Sequence, residues 1–278
     1  MTKERLDVLL VARGFFPSRE KATEAIKTGF VYAGNKPVLK SSLKVDTNIA
    51  IEIKSGSQPY VSKGGLKLKK GIDAFSIDFV DKIILDVGCS TGGFSDCALQ
   101  HGALFVYGVD VGSNQLDKSL FCSKLKSIEN LHVKDLQLEH LDGKKMDGIL
   151  VDVSFISSTQ TFPYILPFLK PDGFLFTLIK PQFELDNAAL DRHGIVRNTK
   201  HQITAIQRVL STAKEMKLHL QNIDYAPLMA YKKNIEYIAL FRLIENGFSE
   251  NLSKLVNQAV EEKRKMKQNT PLQTLFET

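Results

Sequence analysis

The chain has no tryptophan, and its three cysteines, Cys89, Cys97 and Cys122, show neither CxxC spacing nor histidines at metal-site intervals. That excludes a disulfide-stapled scaffold and argues against a zinc module. No apolar run approaches the roughly 18–20 residues that cross a bilayer, and no signal peptide precedes Arg5. Internal repeats and low-complexity segments are also missing. The expectation is a cytoplasmic, reduced protein without metal or membrane partner, and Cys89 and Cys97 read as packing residues. Nothing in the residues sets an oligomeric state. At 278 residues, 43% hydrophobic and 24% charged, the chain is long enough for one large domain and a small one.

Negative charge is scarce in one region only. Residues 1–70 carry 14 Lys+Arg against 6 Asp+Glu, whereas the remaining 208 carry 23 against 25. A basic excess confined to the first quarter predicts a nucleic-acid-facing module on a near-neutral body. The plainer reading is a solvated basic surface. Within residues 1–53, RLDVLLVARGF and SREKATEAIKTG have helical spacing and glycine stops, FVYAGNKPVLK reads as a hairpin turning at Gly34-Asn35, and NIAIEI as a short strand. KSGSQPY, residues 54–60, is the linker candidate. A catalytic body over 61–245 and a helical extension over 246–278 complete the expected division.

From Lys82 onward apolar strands alternate with helical stretches, which predicts an α/β fold with a mostly parallel, Rossmann-like seven-stranded sheet. Strands are expected near 83–87, 105–110, 130–134, 147–151, 174–179, 220–225 and 235–243. Helices are expected near 93–101, 114–125, 157–169 and 200–217, with an amphipathic one over 249–268. The glycine cluster in IILDVGCSTGGF follows the first of these strands. Its GxxxGG spacing fails the dinucleotide GxGxxG pattern and fits better the first loop of S-adenosylmethionine (SAM) methyltransferases. Asp86, Gly88, Ser90, Thr91, Gly92, Gly93 and Phe94 are therefore cofactor candidates, with the first turn of the next helix offering free amides.

In open α/β sheets ligands bind at the carboxyl ends of the strands. Asp110 ends the second strand, where a carboxylate can take the two ribose hydroxyls of an adenosyl group; ordinary turn chemistry is the alternative. Asp135 in HVKDLQ is placed to meet the adenine amine, or else is a helix cap. Asp152 in ILVDVSF lacks the prolines of the tetrad that grips a base amine. Lys180, closing FLFTLIK, should be partly desolvated, which suits it to activate a hydroxyl. Glu236 in KNIEYIALF needs a lysine partner if it faces inward.

Taken in order, YVSKGGLKL, LDVGCSTGGF, VDVGSNQL, DVSFIS, KPQFE, HGIVRN and NIEY resemble the TlyA family, bacterial rRNA 2′-O-methyltransferases sometimes labelled haemolysin A. The resemblance covers residues 1–243. Its N-terminal part is similar to the S-four type RNA-binding domain, through RLDVLL, SREKA and VYAGNKPV. Its catalytic part resembles the FtsJ-type methyltransferase fold. The resemblance implies a catalytic tetrad of Lys67, Asp152, Lys180 and Glu236, SAM as cofactor, and a cytidine ribose of rRNA within ribosomal subunits as substrate. Arg5, Arg19, Lys21 and Lys63 are the RNA-binding candidates. Two segments depart from the family pattern: MAYKKNIE replaces a Gly-rich turn before the glutamate, and KDLQLEHL replaces an Asn-x-Arg segment. Three rival readings remain: a membrane-active haemolysin using the 249–268 helix, an RNA-binding assembly factor without catalysis, and a base N-methyltransferase.

Overall fold

A computed structural model describes residues 3–16, 18–27, 31–34, 36–53, 59–230 and 232–268. The chain divides into two compact units, Met1–Pro59 and Tyr60–Thr278. Residues 54–58 of the expected linker, Asn35 of the expected turn and the side chain of Lys21 lie outside the described residues.

In the first unit, β1 (Lys3–Arg5) pairs antiparallel with β4 (Lys44–Asp46), and β2 (Val31–Ala33) lies between β3 (Lys36–Pro37) and β5 (Ile51–Ile53). Helices α1 (Leu6–Ala12) and α2 (Arg19–Lys27) close the core with Leu6, Leu9, Leu10, Ala22 and Ile26 packed on Val31, Val38 and Val45. Asp7, in the first turn of α1, is 2% exposed. It accepts from Arg5 Nε and Nη2, both at 3.0 Å, and from Arg19 Nη2 at 2.9 Å. The hydrogen-bonded Arg5 guanidinium, followed by Arg19, holds the Asp7 carboxyl down at about 2 against the upward push of burial.

In the second unit a seven-stranded sheet runs β11-β12-β10-β9-β6-β7-β8. The strands are β6 (Ile83–Val87), β7 (Phe105–Val109), β8 (Leu125–Ile128), β9 (Met146–Val151), β10 (Leu169–Ile179), β11 (His219–Tyr225) and β12 (Tyr237–Arg242). Pairing is parallel from β8 through β10, and β12 runs antiparallel to both β10 and β11. Successive side chains point to opposite faces, so each strand feeds two cores. Leu85, Val87, Ile149 and Val151 lie with α7 (Thr199–Glu215) and α8 (Leu252–Gln268), whereas Ile84, Val106, Leu150 and Phe176 lie with α3 (Gly64–Phe75) and α4 (Gly93–Gln100). Leu255, Val256 and Ala259 put the apolar face of α8 into the first of these cores. That occupies the face a membrane-lytic helix would need, and no helix among the described residues is long and apolar enough to cross a membrane.

Three expected elements differ. The helix over 114–125 does not form; only a 3-10 turn, Lys118–Leu120, is present. Local carboxylates take the backbone donors instead: Asp117 accepts from Ser119 N–H, Glu129 from Asn114 N–H and Asp110 from Gly112 N–H. The third strand is Leu125–Ile128 rather than 130–134, and Leu131 and Val133 beyond it turn into the core. The helix over 157–169 breaks into a 3-10 turn Ser158–Gln160, α5 (Phe162–Ile165) and a second 3-10 turn Leu166–Phe168. Pro163 and Pro167 each remove a backbone donor there, so a continuous ladder cannot run. One short helix, α6 (Pro181–Glu184), follows β10 directly.

The Asp7 cluster has a testable pH signature. Its folded pKa is depressed, so its contribution is fully present above the ordinary carboxylate value and is lost as pH falls toward about 2. Asp7→Asn should raise protease sensitivity within residues 3–53 at pH 7, with the gap from wild type closing as pH falls from about 4 to about 2. Limited proteolysis across that range checks it, and a gap that stays constant contradicts the ion-pair account.

Candidate active site

The register of the sheet assembles the site. Ile179 pairs with Tyr237 across the antiparallel β10–β12 ladder, so Lys180, one residue past β10, stands beside Glu236, one residue before β12. On the other flank, Asp152 follows β9 and its N–H donates to the Val87 carbonyl at 3.0 Å, next to the glycine loop after β6. Gly88 has φ +80, and a Cβ there would sit 2.8 Å from the Asp152 carbonyl oxygen, so only glycine lets the loop pass the strand end. A Cβ on Gly93 would meet Ser62 Oγ at 2.1 Å and the Gly65 nitrogen at 3.0 Å, and this close approach brings α3, with Lys67, against the start of α4.

Lys67, Asp152, Lys180 and Glu236 come together as two ion pairs. Lys67 Nζ lies 2.5 Å from Glu236 Oε2, and Lys180 Nζ lies 2.5 Å from Asp152 Oδ1. Lys180 also donates to Ser154 Oγ at 2.9 Å. All four side chains are between 8% and 21% exposed, desolvated enough to require partners yet still reachable. Burial by itself pulls the Lys67 pKa down, but the charges of Asp152 and Glu236 outweigh it and the net direction is up. Asp152 thus acts on both lysines, which makes the two pairs one electrostatic unit.

The glycine loop meets the same corner. Ser90 is exposed with φ +47, Thr91 is half-buried, and Gly92 caps α4 in the left-handed conformation. The Asp110 carboxylate accepts from Ser90 N–H at 2.8 Å and Gly112 N–H at 2.7 Å, which shapes the rim of the loop and leaves each oxygen capacity for a further bond. Asp86 is fully buried beneath the loop. Its Oδ2 accepts from Ser95 Oγ at 2.6 Å, and its Oδ1 has no hydrogen-bond partner. Burial raises its pKa to about 7, with Ser95 pulling the other way. The Phe94 ring packs 5.9 Å from Phe176 in the core, so the group it presents to the loop is its backbone amide. Asp135 sits exposed on the 3-10 turn Val133–Asp135. Lys63 directly precedes α3 and is half-buried. Arg5 and Arg19 are 42% and 59% exposed at their side chains and share Asp7.

Several supporting residues escaped the sequence reading. Ser95 and Ser154 are ordinary serines in sequence, and only the fold shows what they hold. Asn234 accepts from Val196 N–H and donates to the Gly194 carbonyl, both at 2.8 Å, and so straps HGIVRN to the segment before Glu236. Glu184 was visible as an acid four residues after Lys180 within KPQFE.

Comparison with known proteins gives the family. Residues 60–243 match the FtsJ-like methyltransferase family and residues 4–48 match the S4 domain. Hemolysin A of Brachyspira hyodysenteriae is 37% identical, over 85% of this chain and 99% of its own. The 16S/23S rRNA (cytidine-2′-O)-methyltransferase TlyA of Mycobacterium tuberculosis is 31% identical, over 86% of this chain and 90% of its own. A solved structure from Streptococcus thermophilus, carrying a hemolysin name, superposes with a TM-score of 0.77 at 32% identity, over 97% of this chain and all of that one. With an S4 module followed in sequence by a methyltransferase sheet, a glycine loop and two lysine–carboxylate pairs, the chain belongs to the TlyA family of FtsJ-like methyltransferases.

Proposed function

We propose that this protein is a SAM-dependent rRNA (cytidine-2′-O)-methyltransferase of the cytoplasm, acting on large-subunit (23S) rRNA, with small-subunit (16S) rRNA as a second substrate to be tested. The observation that supports it most is the meeting of Lys67–Glu236 and Lys180–Asp152 at the strand end beside the glycine loop. Two amines and two carboxylates without a base-gripping proline tetrad suit a hydroxyl acceptor better than a ring nitrogen.

The residues present fit the cofactor. The orphaned Asp86 Oδ1 and the first-turn amides of α4 provide polar groups beneath and beside the loop, and the close approaches at Gly88 and Gly93 fix the loop against the end of β9 and the start of α3. Gly88, Ser90, Thr91, Gly92, Gly93 and the Phe94 amide would hold the methionine end, Asp110 the ribose, and Asp135 the adenine side. SAM supplies a methyl carbon already activated by its sulfonium.

The protein's own residues must align the acceptor and manage its proton. Holding two reactants in near-attack geometry lowers a barrier by roughly 7–11 kcal/mol, and a positioned base adds about 10²–10⁴ in rate. Lys180 Nζ takes the 2′-OH proton or, already protonated, stabilises the developing oxyanion; the pH–rate profile separates the two. Asp152 orients Lys180. Lys67, whose pKa is raised, stays an ammonium at neutral pH and steers ribose or phosphate, with Glu236 fixing its direction. Arg5, Arg19 and Lys21 supply phosphate contacts away from the reacting ribose, with Lys63, next to the linker, bridging to the active site. Residues 1–53 then serve as the RNA-gripping module, 54–60 as linker, 61–245 as methyltransferase domain and 246–278 as its extension.

The purified chain should transfer labelled methyl groups to a ribose of a ribosomal subunit, and Lys180→Ala should lose at least about 10² in rate while binding SAM as wild type. Full turnover by Lys180→Ala would refute its role. With four phosphate contacts, RNA affinity should fall with salt at a log–log slope of about −3, and deletion of residues 1–60 should collapse methylation. A flat salt profile or an active truncation would defeat the RNA-gripping assignment.

A further inference from the structure

Of the buried acids among the described residues that the proposed reaction does not use, one, Glu184, bears on the loops that carry Lys180 and Asp152. Glu184 ends α6 and is 8% exposed. Both of its carboxylate oxygens are taken by the turn that follows Asp152: Oε1 accepts Ser158 N–H at 2.9 Å and the Ser158 hydroxyl at 3.0 Å, and Oε2 accepts the Ser157 hydroxyl. The same α6 begins immediately after Lys180. Glu184 therefore ties the segment carrying Lys180 to the segment carrying Asp152, at the end remote from their ion pair. Arg208 of α7 donates Nη1 to the Glu184 carbonyl at 2.9 Å, anchoring the end of α6 to a 17-residue helix.

Residues 153–156 lie between the two ties. There Phe155 holds φ +68, a left-handed conformation that a non-glycine residue seldom adopts. Its ring stands 5.3 Å from that of Phe183, the residue before Glu184. Burial pushes the Glu184 pKa up while the Ser157 and Ser158 donors oppose it. An acid this costly to bury, spent wholly on one turn, marks that turn as one whose shape matters.

We propose that Glu184 is a positioning residue for methyl transfer: by clamping Ser157 and Ser158 it holds the 152–158 turn in the form that sets Asp152 against Lys180. The inference rests on the reading of Lys180 and Asp152 as the pair that handles the acceptor hydroxyl. It assigns Glu184 no contact with the ribose or the cofactor. Its loss should therefore be felt in the rate of transfer and not in SAM binding.

Full-length Glu184→Ala, Glu184→Gln and the Ser157→Ala/Ser158→Ala double variant test it, through single-turnover methyl transfer to the ribosomal subunit and SAM affinity by calorimetry. Glu184→Ala should slow transfer about 10–100-fold, the cost of a misplacement of about 1 Å, with SAM affinity within about twofold of wild type. Glu184→Gln keeps an acceptor for Ser158 and can donate its amide to Ser157, so it should recover to within about fivefold of wild type. The double serine variant should reproduce the Glu184→Ala loss, and it carries the test by the same criteria if Glu184→Ala does not fold. An unaffected rate, a loss of SAM affinity matching the loss of rate, or no rescue by glutamine would overturn the proposal. Wild-type protein inactive on both subunits would instead defeat the methyl-transfer reading itself, whereas active wild type with a silent Glu184→Ala defeats only the clamp.

Discussion

Four charges that cannot be left unpaired hold this site together. Lys67, Asp152, Lys180 and Glu236 are each too buried to be solvated as single ions, so each persists by standing against an opposite charge. Their convergence is a consequence of strand order. Because β12 runs antiparallel beside β10, the start of the one and the end of the other share an edge, and Glu236 arrives where Lys180 leaves. Parallel pairing of β6 with β9 brings Asp152 to the glycine loop. Removing one partner from such a pair typically costs about 3–5 kcal/mol, so the same interaction that readies the chemistry also locks the strand ends.

Buried and half-buried polar groups recur around that centre, each stabilising a loop. Asp86 with Ser95 lies below the glycine loop, Asp110 gathers two of its amides, Asn234 straps the segment before Glu236, and Glu184 ties the turns after β9 and β10. Lying in different loops, these groups leave the strand ends little freedom to drift. The extension α8 adds apolar packing to α7 and the sheet rather than a free amphipathic face. The N-terminal unit applies similar chemistry at a smaller scale, with Asp7 gathering Arg5 and Arg19.

What could be read from the sequence followed from strong, local signals. Apolar runs ending in Asp or Lys gave strands 83–87 and 147–151 close to their observed places and the second half of β10, and helical spacing gave α7. Elements failed where side chains compete with the backbone. The 114–125 stretch has helical spacing, but Asp117 and Glu129 bond to local amides and no helix closes. Pro163 and Pro167 break the 157–169 helix. Asp152, Lys180 and Glu236 were legible one by one as polar residues at strand ends, whereas Lys67 and the grouping of the four came through the family resemblance, since 169 residues separate Lys67 from Glu236 and only the fold brings them together. Ser95 carried no signal beyond its residue type, and Asn234 and Glu184 stood within NIEY and KPQFE with no role legible there, because their roles are set by what the fold places opposite them.

The central claim is that these four side chains act as a single unit on the acceptor hydroxyl, and a double-mutant cycle on methyl transfer tests it most directly. Lys180→Met, Asp152→Asn and their combination are compared by single-turnover rate at saturating SAM. Residues acting as one unit give strongly non-additive losses, so the double variant should be no slower than the worse single one. Losses that multiply would mean that Lys180 and Asp152 work independently, and the account of a shared charge cluster would be wrong.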